Sequence, residues 1–352
     1  MARLLTSDMP APILVARHSL DGLMSIVQHP RLGSAMKELW LGSHYLDDDD
    51  LSEHFPEELA NSESDDERLR ITKLQQRYRH YLSAQNTFRT GDDVAALTAI
   101  LSHMKGLQNI RLGEWCCGTT SGPEDEARCY GMRTVERETS QRYLVRVEPF
   151  GNCRVTGLTH NFKVLLRALA LTRKPIKELT ALCWLDHRDM SPEHYPINMH
   201  ALLPLVSYFR DGLRVAFATL STLSLAGSFH TWAEDEEIET DWKQYLPRFL
   251  ELAPHLQFLS LTIDGWPHNG MCEGQGENTY GFAGLAAHAC IPHLTSLELR
   301  FVEVTWRDFY YFCKSVGRNI VDLKLHQIQL KEGTANWSSL LTTTIEWQLF
   351  SV

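Results

Sequence analysis

Long apolar runs are absent from the sequence. No stretch approaches the about 20 apolar residues that a membrane-spanning helix requires. At the N-terminus, one basic residue, Arg3, precedes a short apolar stretch that Pro10 and Pro12 interrupt, which is unlike a secretory signal peptide. Several cysteines lie in apolar stretches, as reduced buried thiols do. Together these features predict an intracellular protein, cytoplasmic or nuclear, that has no membrane partner.

Basic residues are fewer than acidic ones: the sequence has 34 Lys and Arg against 44 Asp and Glu, which gives a net charge of -10. A surface of that sign repels phosphate backbones, so we expect no nucleic acid among the partners. Much of the acidic excess lies in three runs at 47–50, 62–67 and 234–239. We interpret these runs as solvated loops, the alternatives being docking surfaces for a basic partner or a divalent-cation site.

Motifs that hold cofactors or nucleophiles are also absent. The sequence contains no G-x-G-x-x-G, no Gly-Lys-Ser/Thr, no G-x-S-x-G and no H-E-x-x-H. Gly274 and Gly276 lie between Glu273 and Glu277, which would repel phosphate. These absences predict a protein that is not an enzyme and has neither cofactor nor catalytic residues.

Two groups of residues bear on metal binding. Cys116 and Cys117, with Cys129 and Cys153, include no C-x₂-C pair and do not fit the usual zinc geometry. Five polar residues that could hold zinc or supply a base match no established motif, and we interpret them as a surface turn; they are Asp186, His187, Asp189, Ser191 and His194. We therefore expect no metal, although His187 and Asp189 would be the catalytic pair if the chain were an enzyme on an α/β sheet.

One short pattern, apolar-x-x-apolar-x-apolar, recurs along the whole chain. Its last two apolar positions are two residues apart, which is the period of a strand. Stripes of apolar residues at helical spacing precede most copies, the first of them with Ser19 as the predicted N-cap. The copies are Met36/Leu39/Leu41, Leu107/Ile110/Leu112, Ile176/Leu179/Ala181, Leu220/Leu223/Leu225, Leu256/Leu259/Leu261, Leu294/Leu297/Leu299 and Ile320/Leu323/Leu325.

The alternation of helix and strand predicts an α/β fold. Successive copies in the second half are 36, 38 and 26 residues apart, starting at Leu220, and such units form right-handed crossovers and a parallel sheet. Because each unit resembles its neighbour, we predict a leucine-rich-repeat-like solenoid, a curved parallel sheet backed by helices. The competing interpretation is an ordinary doubly wound α/β domain.

The whole chain, 1–352, is predicted to be a single domain of this kind. Two longer gaps between copies hold additional segments. Residues 43–68 are expected to form an acidic, partly disordered loop. Residues 113–158 are expected to be an insertion of the sort that often gives repeat proteins their specificity.

The segment around the first copy resembles the start of the repeat region in fungal F-box proteins. It reads His29-Pro-Arg-Leu32 and then Met36-Lys-Glu-Leu-Trp-Leu41, and the last two copies with Trp337-Ser-Ser-Leu340 resemble the same family. In that family an F-box binds a Skp-type adaptor, while the repeats select the protein to be ubiquitinated. The Leu-Pro-acidic opening of an F-box is absent from residues 1–12, so adaptor binding is expected only of a longer form that carries one.

A protein partner is expected on the side of the sheet that faces away from the helices. Residues that flank the core positions of each strand alternate to this solvent-facing side. Tryptophans in loops just beyond the strands would add interface anchors, unless they are buried against their own loops. The predicted partner-binding residues are Trp40, Arg111, Phe258, Glu298, Arg300, Lys324 and His326 on the sheet, with Trp115 and Trp184 in the loops.

The sequence therefore predicts a protein-recognition module. The resemblance suggests the substrate-receptor part of an F-box (SCF-type) ubiquitin ligase. A scaffold or assembly protein without a ubiquitin role is the alternative, and an enzyme is the more remote one.

Overall fold

A large parallel sheet backed by helices makes this an α/β protein. The computed structural model describes residues 13–42, 46, 51–52, 55–115, 132–139, 157–184, 197–198, 207–228, 245–264, 291–300, 302–316, 319–326 and 328–331. Among these residues no helix is both long and apolar enough to cross a membrane.

The strands of the main sheet follow one another in chain order. The order is β1-β2-β3-β4-β6-β7-β8-β10, with β5 paired to β6, while β9 and β11 form a separate two-stranded sheet. Every strand pairing is parallel. The strands are β1 (Ile13–Leu14), β2 (Glu38–Gly42), β3 (Asn109–Trp115), β4 (Glu178–Trp184), β5 (Ile197–Asn198), β6 (Thr222–Ser228), β7 (Phe258–Asp264), β8 (Ser296–Arg300), β9 (Glu303–Thr305), β10 (Asp322–His326) and β11 (Gln329–Lys331).

The seven predicted strand copies occupy seven neighbouring strands, and they are in register. The second apolar position of each copy pairs with the same position of the next, giving the row Leu39, Ile110, Leu179, Leu223, Leu259, Leu297 and Leu323. The first six of these side chains are at most 1% exposed. Burying each contributes about 1.5–3 kcal/mol, so the pattern that marks the sequence also builds the core.

Helices connect most of these strands and cover one face of the sheet. Apolar residues of α1, α5, α7, α8, α9 and α10 belong to the same buried cluster as the inner strand residues. The helices are α1 (Arg17–Val27), α2 (Pro30–Ala35), α3 (Phe55–Asn61), α4 (Asp65–Phe88), α5 (Asp92–His103), α6 (Met132–Thr139), α7 (Gly157–Thr172), α8 (Arg210–Ala216), α9 (Tyr245–Leu250) and α10 (Trp306–Val316).

The entry to each strand repeats one hydrogen-bond arrangement. The carbonyl of Lys37 accepts from the amides of Gln108 and Asn109 at 2.8 and 3.0 Å. Each later strand entry provides an equivalent carbonyl that accepts from two successive amides of the next strand entry. The accepting carbonyls are those of Lys37, Gln108, Lys177, Ser221, Gln257 and Thr295. Successive helix–strand units are therefore equivalent in backbone geometry as well as in apolar pattern.

Three further helices form a second apolar cluster. Phe55 of α3, Tyr78 of α4 and Val135 of α6 are buried together, and the Phe55 and Tyr78 rings meet edge-on at 5.6 Å. The prediction of an acidic loop over 43–68 is wrong for 55–61 and 65–68, which are helical. The physical reason is that Phe55 supplies a fully buried anchor and Ser64 caps α4 by accepting from the Glu67 amide at 3.2 Å.

The predicted N-cap of α1 is also wrong. Ser19 lies within the first turn of α1 and is fully buried, while Ala16 occupies the N-cap position. The Ser19 amide donates to the Ala16 carbonyl at 3.1 Å. The helix therefore begins earlier than the polar residue suggested, because burial of Leu20 and Leu23 fixes its position.

Candidate functional site

The side of the sheet opposite the helices, here called the outer face, is lined by the residues that alternate with the core positions. Its middle row pairs residue by residue across the strands and consists of Trp40, Arg111, Thr180, Ser224, Ser260, Glu298 and Lys324. Its first row pairs in the same way and consists of Glu38, Asn109, Glu178, Thr222, Phe258, Ser296 and Asp322. Parallel pairing thus brings residues from distant parts of the chain to one surface.

Arg111 is the centre of a charged cluster on the first three strands of this row. Its Nε lies 2.7 Å from Oε1 of Glu38 on β2, and its Nη2 lies 3.6 Å from Oε1 of Glu178 on β4. The guanidinium carbon is 5.1 Å from the ring centroid of Trp40, within the range of a cation–π contact. We call Glu38, Trp40, Arg111 and Glu178 the Arg111 cluster.

A second charged cluster lies at the other end of the face. The Nε of Arg300 donates to Oε1 of Glu298 at 2.8 Å, and Nε2 of His326 on β10 lies 3.4 Å from the same oxygen. The Glu298 side chain is 11% exposed, against 50% for His326. We call Glu298, Arg300 and His326 the Glu298 cluster. A buried carboxylate requires such partners, since an unpaired one would be costly.

Between the two clusters the face is hydroxyl-rich and holds one half-buried aromatic ring. Ser224 and Ser260 are buried, whereas Thr222 and Phe258 are half-buried. Small side chains on strands about 4.8 Å apart are shielded by their neighbours. Within these two rows, the central part of the face therefore carries no charged side chain, and Phe258 is its largest apolar residue.

The structure corrects two predictions about tryptophans. Trp40 is not solvent-facing, because it is 5% exposed and lies beneath the Arg111 guanidinium. Trp115 and Trp184 are not in loops: they are the last residues of β3 and β4 and pair with each other in register. Strands β3 and β4 each continue three residues beyond the apolar pattern, which carries these residues into the sheet.

The other predicted partner-binding residues are brought onto one surface. Phe258 is half-buried in the centre, and Lys324 is 52% exposed beside Asp322, whose Oδ2 lies 3.4 Å from its Nζ. Arg111, Glu298 and Arg300 are engaged in the ion pairs described above. The exposed Lys324–Asp322 pair contributes only about 0–1 kcal/mol.

Three charged residues of the face were not among the predicted partner-binding residues. Glu38, Glu178 and Asp322 each open their strand, one residue before the first core position. Their common offset from the leucine pattern assigns all three to the solvent-facing side, by the same alternation that assigns Arg111 to it. It places Glu38 and Glu178 on the two strands that flank Arg111, so an ion pair follows from register alone.

Several sequence features fall outside the described residues. They are the polar group at 186–194, the cysteines Cys116, Cys117, Cys129 and Cys153, the glycines Gly274 and Gly276, and the acidic runs at 47–50 and 234–239. Within the described ranges no group of three or more His, Cys, Asp or Glu side chains could hold a metal ion.

Comparison with known proteins gives no family for this chain. The sequence matches no protein-family model, and no curated protein matches it significantly. The proposal for the function is therefore based on the geometry of the outer face.

Proposed function

We propose that this chain is a leucine-rich-repeat-like solenoid that binds a partner protein on its outer face. The observation that carries the proposal is the single in-register ladder of seven strands, in chain order, with the helices on one face. Repeats that contact only their neighbours generate an extended sheet surface, and solenoid proteins bind their partners on such surfaces. The repeated two-amide hydrogen bond at each strand entry supports the equivalence of the units.

The composition of the outer face supports a protein partner. Its two charged clusters are each paired internally, and between them lies a hydroxyl-rich centre with Phe258. Protein interfaces combine a central aromatic anchor with a polar rim. We propose Phe258 as the central anchor, with Lys324 and His326 as contacts at the rim.

The resemblance to fungal F-box proteins extends the proposal to a substrate receptor of a ubiquitin ligase. In that role the outer face selects the protein to be ubiquitinated, and a Skp-type adaptor binds only if a longer form carries an F-box. The extension is tested by affinity capture of the full gene product. Recovery of a Skp-type adaptor and a cullin supports it, whereas recovery of a partner without either indicates a scaffold protein.

The face itself is tested by a double substitution, Phe258→Ala with Lys324→Glu. Lys324 is chosen rather than Arg111, Glu298 or Arg300 because its ion pair with Asp322 is solvent-exposed, whereas theirs are partly buried in the sheet. Quantitative capture from cells should lose the principal partner, with enrichment reduced at least about tenfold, as expected when a central anchor and a rim charge are both changed.

The matched control is Tyr208→Ala with Arg214→Glu, near and within α8, where Tyr208 is 83% exposed and Arg214 is also exposed. This variant has the same kinds of substitution away from the outer face and should retain the partner. Circular dichroism of both variants checks folding. Equal capture by the two variants would contradict the proposal.

A further inference from the structure

A strongly basic surface lies on α4 in a chain whose net charge is -10. The acidic residues of α4 are confined to its first turn, at Asp65, Asp66 and Glu67. After Glu67 the helix has no further carboxylate as far as Phe88. Over the same stretch it has five Lys or Arg residues and one histidine: Arg68, Arg70, Lys73, Arg77, Arg79 and His80.

Four of these residues form one stripe along the helix. Arg70, Lys73, Arg77 and His80 are separated by three or four residues, which places them on the same side of an α-helix. All four are exposed. With a rise of 1.5 Å per residue, the stripe is about 15 Å long.

Helix α6 packs against α4 beside the stripe and adds a further cation. Nη1 of Arg77 donates to the backbone carbonyl of Glu138 at 3.3 Å, and the neighbouring Arg137 side chain is 76% exposed. The carboxylate of Glu138 accepts from the Tyr81 hydroxyl at 2.6 Å. Its Oε1 also lies 4.0 Å from Nη2 of Arg137, so this one carboxylate stands beside the cations of α4 and α6, which outnumber it.

Among the described residues, the carboxylates paired with this surface are those of Glu67 and Glu138. Oε1 of Glu67 lies 3.8 Å from Nη2 of Arg70, whose side chain is 63% exposed. A pair at this distance and exposure contributes little. Lys73 and Arg77 lie beyond the reach of the Glu67–Arg70 pair and are exposed, as is the imidazole of His80.

We propose that this surface, comprising Arg70, Lys73, Arg77, His80 and Arg137, docks an acidic segment of a partner protein. Clustered cations on a rigid helix recognise acidic motifs through charge complementarity. Leu69 lies one turn before Lys73 and is 54% exposed. An apolar side chain within the stripe fits a peptide, which has apolar residues between its charges, better than it fits a phosphate backbone.

The overall charge of the chain also favours a short acidic peptide over a long polyanion. At a net charge of -10 the remaining surface repels an extended nucleic acid. A short peptide contacts the stripe alone. The acidic surface further away than about one Debye length, roughly 8–10 Å, is screened from its charges. Stable anchoring on an anionic membrane takes an apolar or lipid signal besides a basic patch, and on this stripe Leu69 alone is an exposed apolar residue among the described positions.

The test is direct binding of a fluorescent peptide composed of Glu and Asp with a central leucine. We expect the wild-type chain to bind it at low salt and more weakly as salt is raised. The variant Arg70→Glu/Lys73→Glu/Arg77→Glu should bind at least about tenfold more weakly, because three attractive contacts become repulsive.

The control variant Lys105→Glu/Arg167→Glu/Arg214→Glu has the same change in net charge at exposed positions elsewhere, and it should bind the peptide as the wild type does. If charge reversal on α4 prevents folding, the glutamine variant Arg70→Gln/Lys73→Gln/Arg77→Gln replaces it. Equal binding by the stripe and control variants would overturn the proposal. It would also be overturned if the wild type did not bind the peptide, or if it preferred single-stranded DNA or phosphatidylserine vesicles.

Discussion

Leu259 lies at the centre of the core row, between Leu223 of β6 and Leu297 of β8, and is fully buried. Truncation to alanine removes buried methyl groups and leaves a cavity that the flanking leucines cannot fill. We expect Leu259→Ala to lower the free energy of unfolding by about 2–5 kcal/mol. Urea unfolding followed by circular dichroism measures the change.

Phe258 is the natural control for this prediction because it is the next residue and lies on the outer face. It is half-buried, so Phe258→Ala should destabilise the protein less than Leu259→Ala does. If Phe258→Ala were the more destabilising of the two, the assignment of inner and outer faces would be wrong.

Tyr81 is a second residue whose environment can be tested, through the pH dependence of the protein's stability. Burial, and then the hydrogen bond to Glu138, raise its pKa from 10.0 to about 12. The folded state therefore retains this proton more strongly than the unfolded state does. The stabilisation is fully present below pH 10 and is lost as pH rises from about 10 to about 12.

Tyr81→Phe removes this titration. We expect wild-type stability to fall more steeply than that of Tyr81→Phe over the same pH interval, as measured by urea unfolding at successive pH values. Tyr208→Phe, at a side chain that is 83% exposed, should behave like the wild type. Identical pH dependence in all three proteins would refute the contact between α4 and α6.

At the scale of elements, Gly212 allows α8 to approach α7. A Cβ at this position would lie 2.2 Å from the carbonyl oxygen of Ala170, a backbone atom that cannot rotate away. Gly212→Ala should therefore separate the two helices and cost about 1–3 kcal/mol, despite the better helix propensity of alanine. Thermal unfolding compares it with Arg214→Ala on the exposed side of α8, which should have little effect.

Elements with a strong apolar period were predictable from the sequence, while helices without one were not. All seven strand copies are strands, since a leucine pattern with period two specifies both the strand and its buried side. Helices α2, α3, α6 and α8 have six to eight residues and were missed because none of them carries a long apolar stripe. Their positions depend on tertiary contacts, such as the burial of Phe55 and Val135, which no local pattern encodes.

The outer face was predictable in outline for the same reason. Alternation along each strand correctly assigned Arg111 and Glu298 to that face. Their partners could not be chosen without the register, because Glu38 and Glu178 are distant from Arg111 in sequence and become neighbours only through parallel pairing. Trp40 is buried for the same reason, because parallel pairing brings the side chain of Arg111 beside it.

In the whole molecule, the main sheet is an open array of strands whose order follows the order of the chain. Lys37, Gln257 and Val321 are exposed residues directly before β2, β7 and β10. Four strand intervals separate the first pair and six separate the outer pair. With about 4.8 Å per interval, their backbones are expected to be roughly 19 and 29 Å apart if the sheet is nearly flat, and somewhat closer if it curves.

Pulsed electron paramagnetic resonance with spin labels at these three positions measures both distances. Labels attached through unnatural amino acids avoid the eight native cysteines. We predict that the Lys37–Val321 distance exceeds the Lys37–Gln257 distance by about two strand intervals, roughly 10 Å. A Lys37–Val321 distance equal to or shorter than the Lys37–Gln257 distance would contradict the open, chain-ordered array.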